Sequence, residues 1–109
     1  MNNSAYWLEL LEKENKGLSN NQALAEALGL SRASISHQKR GLYAMGVRAA
    51  VQVAYMLELH PMLIIASTQY DSATTELERV FWLSTYLKWQ DKAPRTVKPP
   101  ITEHLPEPT

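Results

Sequence analysis

Arg32, Ala33, Ser36, His37 and Arg40 follow one another at i, i+1, i+4, i+5 and i+8, a spacing that places them on one ridge if residues 32–39 are helical. No acid stands on that ridge. An arginine at the start of such a helix offers paired donors that match the acceptors of guanine, and the Ala33 methyl suits contact with a thymine methyl. Ser36 and His37 can exchange hydrogen bonds with base edges in a major groove, which is about as wide as the ridge. Around them, Ser34, Lys39 and Arg40 flank the ridge, and Asn20, Asn21 and Gln22 open the preceding helix. Amide side chains and free backbone N–H groups there suit phosphate oxygens. Tyr43, in the loop between Gly41 and Gly46, suits a phosphate contact or a plug in the core. The plainer reading of the same residues is a solvated helix face, with His37 a spectator and the serines acting as caps.

The charge distribution sharpens the choice. Eleven basic and eleven acidic residues cancel over the 109-residue chain. From Ala27 to Leu57, however, the charged residues are Arg32, Lys39, Arg40 and Arg48 alone, with Glu9, Glu12 and Glu14 before and Glu58, Asp71, Glu76 and Glu78 behind. A neutral protein can thus present one positive face, as nucleic-acid binders do.

The elements needed to hold the ridge are legible from spacing and turn residues. A first helix is expected from Ser4, as its cap, to about Asn15, with Trp7, Leu8, Leu10 and Leu11 at helical spacing and Gly17 ending it. Asn20 precedes a short second helix over 21–28, in which Leu24, Ala25 and Leu28 form the buried stripe. Gly29 sits where the chain must turn with positive φ, Leu30 plugs the corner and Ser31 caps the third helix. Ile35 anchors that helix to the core. A fourth helix is expected over 47–57, burying Ala50, Val51, Ala54 and Leu57. Pro61 suits the first turn of a short fifth helix through Ala66.

These residues resemble the lambda-repressor/Cro-like helix-turn-helix family, whose pattern Leu-Ala-x-x-Leu-Gly-Val-Ser-x-x-x-Ile-Ser is met here by Leu24-Ala25-Glu26-Ala27-Leu28-Gly29-Leu30-Ser31-Arg32-Ala33-Ser34-Ile35-Ser36, followed by Gly41. Leu57-Glu58-Leu59-His60-Pro61 is similar to the family's link between its fourth and fifth helices, and short phage and prophage regulators share the added C-terminal helix. The resemblance implies an all-α fold: a five-helix DNA-binding domain over 4–68, a C-terminal helix over 72–90 and a tail over 91–109. It implies a transcriptional regulator, of phage-repressor type, that binds double-stranded operator DNA as a homodimer at paired half-sites. In a bacterial cell that places it in the cytoplasm, on the nucleoid. Two positions depart from the pattern. Gln38 stands where the family has an apolar residue, and Lys39 where it has an acid that pairs with an arginine in the first helix; a swapped pair of Lys39 with Glu12 or Glu14 is one reading, a lysine on phosphate the other.

The sixth helix is expected from Ser72 or Thr74 to Gln90 and is apolar on two sides. Leu77, Val80, Phe81, Ser84 and Leu87 line one, Trp82, Tyr86 and Trp89 the other. The aromatic trio is expected either to finish the core by folding back on the first helix or to form the homodimer contact, with the dimer preferred because a monomer would leave a large aromatic patch in water. Five of the six prolines lie beyond Asp91, a composition that predicts a disordered tail. The chain has no cysteine, so disulfides and thiolate metal sites are excluded and a reducing compartment fits. The longest apolar stretch, Val47 to Ala66, is interrupted by Arg48, Glu58, His60 and Pro61, which excludes a spanning helix. His60 and His104 are read as structural or idle, no histidine pair has ligand spacing, and no nucleophile stands beside a base. The expectation is a protein without metal or cofactor, and not an enzyme. The alternative function is a protein-interaction module that uses the helix-turn-helix as a scaffold and binds through the aromatic helix or the tail.

Overall fold

Asn2, Asn20, Ser31, His60 and Thr75 each accept the backbone N–H of a residue two or three positions on, at 2.8–3.1 Å, and each begins a helix. Such caps satisfy donors that a helix N-terminus would otherwise leave unpaired. In this computed structural model, which describes residues 2–103 and side chains as far as Ile101, the chain runs α1 (Asn3–Glu14), a single 3₁₀ turn (Lys16–Leu18), α2 (Asn21–Leu28), α3 (Arg32–Lys39), α4 (Val47–Leu57), α5 (Pro61–Ser72), α6 (Glu76–Gln90) and the short α7 (Pro100–Glu103). The described residues are helical with no strand, and no helix among them is long and apolar enough to cross a membrane.

Helix ends follow local chemistry. Gly29 closes α2 with φ +67°, and the Leu30 N–H returns to the Ala25 carbonyl at 2.9 Å. Without a Cβ this left-handed conformation costs little. Glu58 closes α4 in the same conformation at φ 58°, where a side chain is penalised. His60 then caps α5, with Pro61 in its first turn.

One core runs through the molecule. Trp7, Leu8 and Leu11 of α1, Leu24 of α2, Ile35 of α3, Ala50 and Val53 of α4, and Leu63 and Ile64 of α5 are all buried. Trp7 donates its indole N–H to Ser67 Oγ at 2.6 Å, and Ser67 donates on to the Ile64 carbonyl at 2.8 Å, so the polar atom of the largest core side chain is satisfied. Asn3 ties α1 to α5, donating from its backbone and its amide to Asp71 at 2.8 and 2.9 Å. Burial raises the Asp71 carboxyl above its ordinary value against the lowering effect of those bonds.

Several sequence expectations are corrected here. Asn2, not Ser4, caps α1: Ser4 is buried and its hydroxyl accepts the Met45 N–H at 2.8 Å. Val51 faces water and Val53 takes its place in the core, because the buried face of α4 runs Ala49, Ala50, Val53, Ala54, Leu57. The fifth helix continues to Ser72, past the expected end at Ala66, and α6 starts only at Glu76 behind the Thr75 cap, not at Ser72 or Thr74. Where composition predicts a disordered tail, its described part, 91–103, includes the short α7 and packs some of its residues on the domain. Val97 and Ile101 are buried in the common core. Arg95 donates to Glu14 at 2.6 Å, the Lys98 N–H reaches the Tyr6 hydroxyl at 3.3 Å, and the Ile101 N–H reaches Asn3 Oδ1 at 3.0 Å. Composition misleads at this point because a few apolar residues, spaced to meet an existing groove on α1, order a segment that could not fold alone. His104 and the rest of the tail lie outside the described residues.

Candidate nucleic-acid interface

α3 is held from beneath by three contacts. Ile35 is fully buried against α1 and α2. Gln38, also buried, donates from Nε2 to Ser34 Oγ at 3.2 Å, while its Oε1 meets no hydrogen-bond donor among the described residues. Lys39 forms an ion pair with Glu12 of α1 and donates to Asn21 Oδ1 of α2 at 2.7 Å. Three helices are thereby joined at one ammonium group, and the charge-assisted bonds fix the angle between α2 and α3. The swapped-pair reading of Lys39 holds, with Glu12 and not Glu14 as its partner.

What α3 turns outward is the ridge. Arg32, Ala33 and Arg40 are exposed and Ser36 and His37 half-buried, so the five residues grouped by spacing do share one accessible side. His37 rests edge-on against Tyr43, ring centroids 5.7 Å apart. Tyr43 is exposed, and its hydroxyl donates to Ser34 Oγ at 3.0 Å. Ser34 therefore takes bonds from both Gln38 and Tyr43, an internal junction that stiffens the loop after α3.

The residues at the start of α2 are less free than their types suggest. Asn20 is spent on capping Ala23, Asn21 on Lys39, and Gln22 donates to Glu26 at 3.0 Å. What remains at that end is the positive pole of α2 and its first-turn amides, a setting favourable to an anion. Arg48, to which spacing assigned no role, is exposed in the first turn of α4. It borders a shallow cleft with Glu26, Leu28 and Gly29, next to the turn that leads into α3. Its signal in the sequence was its membership in the acid-free stretch.

Set against known protein families, curated proteins and solved structures, the chain matches none of them.

The aromatic stripe, expected either to fold back on the first helix or to pair two copies, packs against the chain's own α5. Tyr86 is fully buried, its hydroxyl donating to Gln90 Oε1 at 2.8 Å. Burial pushes that phenol well above its ordinary pKa. Trp82 and Trp89 are half-buried against the core, and Trp89 stacks on His60 at 3.9 Å with the planes 14° apart. Trp82, Tyr86 and Trp89 thus seat α6 on α5 and on the α4–α5 link; the apolar side left in water is the other one. Among the described residues no three His, Asp or Glu side chains gather as metal ligands would.

Proposed function

We propose that the chain is a sequence-specific binder of double-stranded DNA that regulates transcription in the manner of a phage repressor, with α2, the Gly29 turn and α3 working as a helix-turn-helix. One observation carries the proposal: an acid-free ridge of Arg32, Ala33, Ser36, His37 and Arg40, exposed at Arg32, Ala33 and Arg40 and half-buried at Ser36 and His37, along a short helix braced by Ile35 and Lys39. A brace matters because base contacts need a helix held in one orientation, whereas a merely solvated face does not. The resemblance of residues 24–36 to the lambda-repressor/Cro-like pattern supports the same reading.

In this reading Arg32, Ala33, Ser36 and His37 face base edges, and Arg40 with the N-terminal end of α2 holds the phosphate backbone. Asn20, Asn21 and Gln22 position that helix end, and Ser34 and Tyr43 stiffen the loop. Fluorescence anisotropy against the duplex that flanks the chain's own gene, beside a scrambled duplex, at two salt concentrations, tests it. The expected result is binding that prefers the native duplex and weakens with salt as counterions are released. Arg32→Ala is expected to lose discrimination between the duplexes by about 1–3 kcal/mol, and Arg40→Ala to weaken both alike and flatten the salt slope by about one unit. Equal losses from the two variants would refute the division of roles.

A second reading, a protein-interaction module on the same scaffold, draws on the exposed apolar side of α6. It predicts no salt-dependent affinity for either duplex.

A further inference from the structure

Where α5 ends and α6 begins, the two helices leave an open cleft of about 580 Å³. Ala73, Leu77, Phe81 and Trp82 form its apolar wall, and Gln69, Ser72 and Glu78 supply its polar atoms. Phe81 and Trp82 meet edge to face, ring centroids 4.9 Å apart and planes at 77°, and so make a corner of two aromatic rings. That wall stands in water, with Leu77 80% exposed and Phe81 57%. A cleft of this size, mostly apolar with a few convergent polar groups, has the make-up of a small-molecule site.

The charges around the cleft select the ligand. Glu78 is the single charged residue of its lining among the described residues. Its Oε2 accepts the Thr74 N–H at 2.9 Å and the Thr74 hydroxyl at 3.4 Å, which fixes the carboxylate, while Oε1 takes no hydrogen bond among the described residues. Arg79, the nearest base along α6, is engaged elsewhere: it donates to the Ala73 carbonyl at 3.4 Å and pairs with Glu76 at 3.6 Å. Asp71, at the end of α5, accepts from Asn3. Lys88, Asp91 and Lys92 belong to the other end of α6, with the Lys92 ammonium over Trp89 at 5.2 Å. Acids therefore outweigh bases at this junction, and the acid that lines the cleft keeps one oxygen free.

We propose that the cleft binds a small organic cation with an aromatic body, an arylalkylammonium in its simplest form. The ammonium donates to Glu78 Oε1, one helical turn from Trp82, whose ring attracts the same charge. The body lies in the corner of Phe81 and Trp82 against Leu77 and Ala73, and takes out of water the apolar surface that the chain leaves exposed. An anion of the same shape meets the Glu78 carboxylate with no base in the lining to offset it. The site uses no residue of the α3 ridge, so it stands or falls apart from the DNA reading.

The test is a titration of the full chain with phenethylammonium, and with phenylpropionate as the anionic counterpart, followed by amide and indole N–H signals in NMR spectra. The cation is expected to shift the Trp82 indole and the amides of Ser72, Ala73 and Leu77, and to saturate at roughly millimolar concentration, as suits a ligand of about nine non-hydrogen atoms. The Trp89 indole is expected to stay in place. Glu78→Gln, whose amide oxygen can still accept the Thr74 N–H, is expected to weaken the cation about tenfold by loss of one charge-assisted bond, and phenylpropionate to bind the wild type at least tenfold more weakly than the cation. Phe81→Ala is expected to weaken the cation about threefold, and Tyr55→Ser, an exposed aromatic on α4, to change nothing. Circular dichroism confirms that each variant is folded. Any of four results overturns the proposal: no saturable shift within tenfold of the expected concentration, equal affinity for the anion, unaltered affinity in Glu78→Gln, or shifts that run on along α6 to Ser84 and Leu87, the mark of an apolar surface without a site.

Discussion

α3 and α6 are both two-sided helices, and they were not equally readable. α3 buries Ile35 and Gln38 and turns out Arg32, Ala33 and Arg40. Its sides differ in polarity, so spacing alone orients it. α6 carries apolar residues on both sides, Tyr86 with Trp82 and Trp89 against Leu77, Phe81 and Leu87, and the structure buries the first set and exposes the second. A hydropathy pattern orients a helix only when the pattern has a polar side. Where it has none, the choice falls to shape. Three aromatic rings fill more of the space above α5 than aliphatic residues can, and the Trp89 ring finds a flat partner in His60.

The strongest way to break this comparison is to exchange the two sides of α6. Tyr86→Ala is expected to lower stability by about 3–5 kcal/mol, as truncation of a large core aromatic does. Phe81→Ala, at an exposed position, is expected to stay within about 0.5 kcal/mol. Thermal or urea unfolding of the pair measures the difference, and a neutral Tyr86→Ala would mean that α6 is seated the other way round.

A smaller effect separates bracing from binding in α3. Lys39→Met removes the ion pair to Glu12 and the bond to Asn21, and is expected to cost about 1–2 kcal/mol of stability because these bonds are charge-assisted and partly sheltered. Its salt slope on DNA is expected to stay that of the wild type. A slope lower by about one unit would instead show that Lys39 also neutralises a phosphate.

The smallest expected change concerns the underside of α3. Gln38→Met keeps the volume and removes a buried amide whose oxygen is unpaired, so unfolding is expected to show no loss and a gain of up to about 1 kcal/mol. A clear loss would mean that the bond to Ser34 matters more than the desolvated oxygen.

Much of the architecture around α3 was legible in advance. Asn20, Gly29, Ser31 and Pro61 each act within a few residues, and each stands where its local chemistry requires. Leu24, Leu28 and Ile35 are buried as their spacing predicts. The cap of α1 was missed because Asn2 and Ser4 are both good caps, and only the contact between Ser4 and the Met45 N–H, 41 residues away, decides between them. The tail was missed for a related reason. Its composition is poor in apolar residues, and the groove that takes Val97 and Ile101 exists only after α1 has packed.

By itself, then, the sequence determined what depends on neighbours in the chain: the caps at Asn20 and Ser31, the turn at Gly29, the proline that opens α5, the acid-free ridge from Arg32 to Arg40, and the absence of any spanning segment among residues 47–66. The tertiary structure alone decided which of two apolar sides of α6 is buried, that Lys39 bonds to Glu12, that Asn20, Asn21 and Gln22 are engaged before any ligand arrives, and that Val97 and Ile101 join the core. The reason is common to all four. Each is a competition between partners distant in sequence, settled by volume and hydrogen-bond geometry that exist only once the helices have met.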